Sequence, residues 1–173
     1  RNILESRAAE LQRMTGVRPY IYNDYREVLE RQDIDAVIIG TPDHWHCLQM
    51  VDACSAGKHV YVEKPIANSI AECDAMVAAA RKWGRVVQVG QQQRSGNHWH
   101  QMKQYIDSGK LGKITSVESR YHGSRGIPGD WRQLPEQGGG MILDWGVHLI
   151  DQVMDMIKSP VVEVGAHLQS IFS

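Results

Sequence analysis

The sequence predicts an α/β fold with a parallel sheet, and three observations support this prediction. Short apolar runs alternate with helix-like segments through residue 110, which is typical of βαβ units with right-handed crossovers. The run over 36–40 is continuously apolar, which favours a strand buried on both faces of a parallel sheet. The composition, with 42% apolar and 23% charged residues, is that of an ordinary globular protein.

The first elements of the chain are two helices with a short strand between them. Apolar residues at helical spacing predict a helix over 3–15, which Gly16 ends. The segment 20–22 has the composition of a short strand. Asp24, with Glu27 three residues later, predicts a capping box that begins a second helix.

Three strands and three helices then alternate. The strands are predicted at 36–40, 60–62 and 86–90. The helices are predicted over about 44–56, from Ser69 to before Gly84, and over about 98–108. These elements account for the βαβ pattern.

The character of the sequence changes after residue 110. A longer strand is predicted over 113–122 and another over 161–168, with a Gly/Pro-containing loop over 123–140 and a helix over 141–157 between them. We therefore predict two domains, 1–120 and 121–173, the second of them incomplete.

Charge and cysteine content exclude several classes of protein. Lys and Arg number 19 and Asp and Glu 20, a balance without the basic surface of proteins that bind nucleic acid or anionic membranes. No run approaches the ~18 apolar residues of a membrane span. The three cysteines form no C-x-x-C motif, which favours a reduced compartment over a disulfide framework. We therefore expect a cytoplasmic protein, and the alternative is a protein exported by a signal that precedes residue 1.

Three polar segments follow the predicted strands directly. They are Thr41 to His46, Glu63 to Pro65, and Gln91 to Arg94. Because the carboxyl ends of parallel strands meet at one edge, we expect these segments to line one crevice. Lys64 is a candidate for chemistry there, and Pro65 is a candidate cis proline that would aim its ammonium. The alternative is a solvated Glu63–Lys64 pair.

A second polar cluster lies on the helix predicted over 141–157. Asp144 and His148 are four residues apart and share a face. The same stripe continues through Asp151 and Asp155, with Ile142, Leu149, Ile150, Val153 and Ile157 on the opposite side. The alternative interpretation is a polar face turned to solvent. His44 and His46 would point apart on a helix, so no metal site is predicted.

These motifs, taken in order, resemble one family. They are Thr41-Pro42 with His46, Glu63-Lys64-Pro65, Gly90 with Arg94, and Asp144-x-x-x-His148-x-x-Asp151. The combination resembles the Gfo/Idh/MocA family, named for glucose–fructose oxidoreductase, inositol dehydrogenase and a rhizopine catabolism protein. The resemblance extends over nearly the whole chain.

The resemblance implies a Rossmann domain followed by an α/β substrate domain, here with only the later Rossmann strands present. It implies NAD or NADP as cofactor, oxidation of a sugar or polyol hydroxyl, and a homo-oligomer. It assigns catalytic roles to Lys64, Asp144 and His148, cofactor contacts to Thr41, Pro42, His46, Glu63, Lys64 and Gln92, and substrate contacts to Arg94, Trp131 and Arg132, without a metal.

One feature of that family lies outside residues 1–173, namely the first strand with its G-x-G-x-x-G turn. That turn holds the pyrophosphate of the cofactor. We therefore expect the chain to be an internal part of a longer protein, inactive and weak in NAD binding by itself. Two other activities stay open: a redox-assisted glycosidase that shows no net turnover of NAD, and a sugar-binding or truncated relative without catalysis.

Overall fold

The computed structural model describes residues 2–122, 131–134, 137 and 139–167, and within these residues it is an α/β structure. The strands are β1 (Ala36–Ile39), β2 (His59–Glu63) and β3 (Val87–Gly90). The helices are α1 (Asn2–Thr15), α2 (Tyr25–Leu29), α3 (His46–Ser55), α4 (Ile70–Trp83), α5 (Asn97–Asp107) and α6 (Val147–Met156). The predicted fold class is confirmed.

The helices begin and end where the sequence predicts. Asp24 and Glu27 form a capping box at α2, each side chain accepting a hydrogen bond from the backbone N–H of the other. The Ser69 hydroxyl accepts a hydrogen bond from the Glu72 N–H at the start of α4. Gly84 ends α4 in the left-handed conformation, at φ 60°, which glycine adopts without steric cost.

The sheet has the order β1-β2-β3, with all strands parallel. Helices α3 and α4 cover one face, where Val60 and Val62 pack with Met50 and Met76 in the core. Burying each of these side chains stabilises the fold by roughly 1.5–3 kcal/mol. Because the strands are parallel, their carboxyl ends lie at one edge, as the crevice prediction requires.

The prediction that 36–40 is buried on both faces is wrong for one face. Ile38 is 80% exposed, and it lies in register with Tyr61, which itself lies opposite the exposed Gln88. Helices α3 and α4 both pack on the other side of the sheet. A continuous apolar run therefore does not distinguish a strand covered on one face from one covered on both.

Three further predicted strands are not formed by the residues that the structure describes. Segments 20–22, 113–122 and 161–167 are irregular, and residue 168 lies outside the described residues, as does much of the predicted loop 123–140. A strand forms when a neighbour accepts and donates its backbone hydrogen bonds. None of the three segments pairs with a described strand, and Val162 is 93% exposed.

The helix predicted over 141–157 consists of a π-helical turn over Ile142–Gly146 followed by α6. Its polar stripe faces inward, because Asp151 and Asp155 accept hydrogen bonds from Arg94 and Trp99. The alternative of a solvated polar face is therefore wrong. The exposed side of α6 is apolar and includes Ile150. Across the part of the chain that the structure describes, no helix has the length and hydrophobicity needed to span a bilayer.

Candidate active site

Lys64 directly follows β2 and reaches across to the helical segment that precedes α6. Its Nζ donates hydrogen bonds to the Asp144 carbonyl oxygen at 2.7 Å and to Asp144 Oδ1 at 2.8 Å. The two side chains are only 17% and 13% exposed. The Lys64–Pro65 peptide is cis, as predicted. Since the ammonium pairs with Asp144, the alternative of a solvated Glu63–Lys64 pair is wrong.

His148 lies one helical turn beyond Asp144 and is 96% buried, at 4% exposure. Its Nδ1 has no hydrogen-bond partner among the described residues. Burial and, next, the positive charge of Lys64 lower the pKa of His148, while Asp151 and Asp144 oppose this effect. The imidazole is therefore uncharged at neutral pH and able to accept a proton.

The turn over Trp131–Gln133 brings two further predicted residues to this site. Arg132 Nε lies 3.8 Å from Asp144 Oδ1. The ring of Trp131 contacts the ring of His44 edge-on, with centroids 6.0 Å apart. The Arg132 guanidinium lies over the Trp131 ring at 4.4 Å. The turn thus places a cation and an aromatic ring beside the Lys64–Asp144 pair.

Gly139 fixes the position of this turn. A Cβ at Gly139 would lie 2.3 Å from the Arg132 carbonyl oxygen, a distance that only movement of the backbone can relieve. We expect Gly139→Ala to lower the free energy of unfolding by roughly 1–3 kcal/mol, measured in urea. Gly165→Ala is the control, because nothing lies within 4 Å of its Cβ position. Equal stability of the two variants would contradict the prediction.

His46 begins α3 and has no exposed surface. Its Nε2 lies 2.8 Å from the Thr41 carbonyl oxygen and its Nδ1 lies 2.8 Å from the Pro65 carbonyl oxygen. The Thr41 hydroxyl donates to Gln49 Oε1 at 3.0 Å. The side chains of Thr41 and His46, both predicted to contact the cofactor, therefore make hydrogen bonds within the protein. Through the Pro65 carbonyl, His46 joins the first crevice segment to the second.

Asp43 is a member of the site that the sequence did not single out. It follows Pro42 and is buried, with 8% exposure. Burial raises the pKa of Asp43 to about 6, although the charges of His46, Lys64 and Arg132 lower it. The sequence did contain a signal for Asp43, because the motif Thr-Pro-Asp at the end of β1 lies inside the predicted crevice.

Arg94 lies at the third crevice segment and binds α6. Its Nε and Nη2 donate to the two carboxylate oxygens of Asp151 at 2.7 and 2.6 Å, and this contact raises the pKa of Arg94. Gln92 lies on the same 3₁₀ turn, and the two side chains line a groove together with Tyr61 and Asp151. Arg94 therefore connects the end of β3 to α6.

The Arg94–Asp151 pair is expected to stabilise the docking of α6. A double-mutant cycle with alanine at both positions should give a coupling free energy of about 1–2 kcal/mol, because the bidentate pair is partly buried. The exposed Arg7–Glu10 pair within α1 is the matched control, with an expected coupling of at most about 0.5 kcal/mol. Equal couplings in urea unfolding would contradict this assignment.

Candidate metal ligands do not gather at this site. Within the ranges that the structure describes, no group of three or more His, Cys, Asp or Glu side chains has the arrangement to hold a metal ion. His46 directs both ring nitrogens at carbonyl oxygens. The residues brought together instead are Lys64, Asp144, Arg132 and His148.

Comparison with known proteins identifies the family. Residues 2–91 match the oxidoreductase family with an NAD-binding Rossmann fold, and residues 99–173 match the GFO/IDH/MocA C-terminal domain. The chain is 32% identical over 149 residues to the uncharacterized oxidoreductase YrbE of Bacillus subtilis, covering 85% of this chain and 42% of that protein. It is 35% identical over 108 residues to the inositol 2-dehydrogenase of Salmonella typhimurium, covering 62% of this chain and 32% of that protein.

Among solved structures, the chain resembles a levoglucosan dehydrogenase in complex with NADH and levoglucosan. The TM-score is 0.74 at 30% identity, covering 88% of this chain and 42% of that one. The chain thus spans less than half the length of these relatives. With both family domains matched in order, it belongs to the Gfo/Idh/MocA family of oxidoreductases, which has an NAD-binding Rossmann fold.

Proposed function

We propose that the protein is an NAD(P)-dependent dehydrogenase that oxidises a hydroxyl group of a sugar or polyol. The observation that carries the proposal is the Lys64 ammonium, held 2.8 Å from Asp144 Oδ1 on the same side as the buried imidazole of His148, whose Nδ1 has no hydrogen-bond partner among the described residues. The names of two relatives, an inositol 2-dehydrogenase and a levoglucosan dehydrogenase, support this class of substrate.

The crevice residues fit a polar cofactor. Two buried polar atoms there, His44 Nδ1 and Gln91 Oε1, have no hydrogen-bond partner among the described residues, so they are available to a ligand. The nicotinamide side of the cofactor would be held by Thr41, Pro42, Glu63, Lys64 and Gln92. His46 is left out of this set because its ring has no exposed surface. When bound, the nicotinamide ring supplies the hydride acceptor.

The chain's own residues divide the proton chemistry among them. His148 accepts the hydroxyl proton as a general base, since its imidazole is uncharged at neutral pH. Lys64 donates a hydrogen bond to the reacting oxygen and stabilises the alkoxide that develops. Asp144 holds the ammonium in place. Trp131 and Arg132, on the turn beside this pair, contact the sugar.

The proposal is tested with the full protein product of the gene. It is incubated with NAD or NADP and a panel of inositols, anhydrosugars and aldoses, and formation of reduced nicotinamide is followed by absorbance. We expect turnover with at least one member of the panel. Cleavage of an aryl glycoside without net NADH would instead indicate the redox-assisted glycosidase. A protein that binds sugar but gives neither product would be a non-catalytic relative.

We further propose that the enzyme works in the cytoplasm as a homo-oligomer. Cys47, Cys54 and Cys73 are all free thiols, which suits a reducing compartment. The exposed apolar side of α6, with Ile150 and Met154, supports association with further protein surface. Sedimentation of the full gene product tests the oligomer, and a monomer would contradict it.

A further inference from the structure

We infer that His46 is a positioning residue for Lys64, acting through the carbonyl group of Pro65. This inference rests on the proposed function, because it assigns His46 a part in the reaction of Lys64. The imidazole has no exposed surface, so it supports the crevice from behind rather than lining it. Its two hydrogen bonds, each 2.8 Å long, end on Thr41 and Pro65.

The hydrogen bonds of His46 connect two loops that are otherwise separate in sequence. Thr41 follows β1, and Pro65 follows Lys64 at the end of β2. The carbonyl that His46 holds belongs to the residue next to Lys64, whose Nζ reaches Asp144. A shift of this carbonyl therefore moves the backbone from which the ammonium is aimed.

The chemistry of the ring makes this connection specific. Both partners are carbonyl oxygens, which only accept, so both hydrogen bonds form when both ring nitrogens carry a proton. A neutral ring satisfies one carbonyl and directs a lone pair at the other. The buried Asp43 carboxyl lies three residues before His46, and the charges of Lys64, Arg132 and Asp144 act on that carboxyl.

The first test is an NMR measurement on the ¹⁵N,¹³C-labelled full gene product, which needs no activity. We expect a proton on Nδ1 of His46 and a coupling across the hydrogen bond from Nδ1 to the Pro65 carbonyl carbon. A ring without a proton on Nδ1 overturns the inference, because Pro65 would then have no donor.

The second test uses two variants in the full gene product. The amide nitrogen of asparagine occupies the place of Nδ1, so His46→Asn keeps a donor for Pro65. The amide nitrogen of glutamine occupies the place of Nε2, so His46→Gln keeps a donor for Thr41 instead. Both variants lack the imidazole ring, and their unfolding in urea measures how far its loss lowers the free energy of unfolding.

If His46 positions Lys64, the two variants should differ in kcat while their KM values stay close to that of the unaltered protein. We expect His46→Asn to retain kcat within about 3-fold and His46→Gln to lose about 10-fold or more, since a small misplacement of a reacting group is costly. Equal losses in kcat, or the opposite order, overturn the inference. Where a variant does not fold, the NMR result on the unaltered chain decides.

Failure of this inference is distinguishable from failure of the proposed function. If the unaltered gene product reduces no nicotinamide cofactor with any sugar or polyol, the proposed function fails and the NMR experiment still reports on His46. If the unaltered protein turns over and the two variants behave alike, only the role of His46 is lost.

Discussion

Replacing Lys64 by alanine is expected to lower kcat of the full gene product by roughly 10²-fold or more. The ammonium is the cation that Asp144 holds in the crevice, with hydrogen bonds of 2.7 and 2.8 Å. Its loss removes the donor that would stabilise the alkoxide as the hydroxyl proton leaves. The measurement is steady-state turnover with saturating cofactor.

Lys58 provides the matched control at the other end of β2. It is also buried, and its Nζ donates to the Arg31 carbonyl oxygen at 2.6 Å. Lys58→Ala should therefore reduce the free energy of unfolding and leave kcat within a small factor. Turnover by Lys64→Ala that equals turnover by Lys58→Ala would remove Lys64 from the mechanism.

Replacing His148 by alanine is expected to lower kcat by a similar factor, roughly 10²-fold or more. The general base must be uncharged to accept a proton. Because burial and Lys64 lower the pKa of His148, the unaltered enzyme should stay active down to a pH below about 6.5, the ordinary pKa of imidazole. Activity should then fall as His148 is protonated. Near-normal turnover by His148→Ala would exclude this role.

The titration of His148 is also measurable by NMR in the full gene product. The midpoint should lie below about 6.5. Removing the positive charge in Lys64→Ala should raise it, whereas removing the negative charge in Asp151→Asn should lower it, because these charges act on the imidazole in opposite directions. Shifts of the same sign in both variants would contradict the electrostatic picture of the site.

The local signals in the sequence predicted the elements that depend on neighbouring residues alone. The capping box at Asp24, the Ser69 cap and the glycine at position 84 each act over one helical turn, and each is confirmed. The segments 20–22 and 113–122 failed as strands because a strand also requires a partner, which local composition does not specify.

In the candidate site, too, some features were predictable from the sequence and others depend on contacts between distant segments. Family motifs predicted Lys64, Asp144 and Arg132, and the structure brings these three together, while the roles of the site residues stay predictions. The burial of Asp43 and the two carbonyl partners of His46 depend on how the loops after β1 and β2 fold together. Sequence spacing alone contains no information about those contacts.

The Lys64–Asp144 pair joins residues that are 80 positions apart, one at the end of β2 and the other in the turn before α6. Neither residue can reach its working position until α6 has docked, since Asp144 supplies both acceptors for the ammonium. The pair therefore exists only in molecules in which the end of β2 and the turn before α6 have come together, and the proposed proton transfer would depend on that step. A partly folded chain with its sheet intact would lack this pair, and under the proposed function it would therefore lack activity.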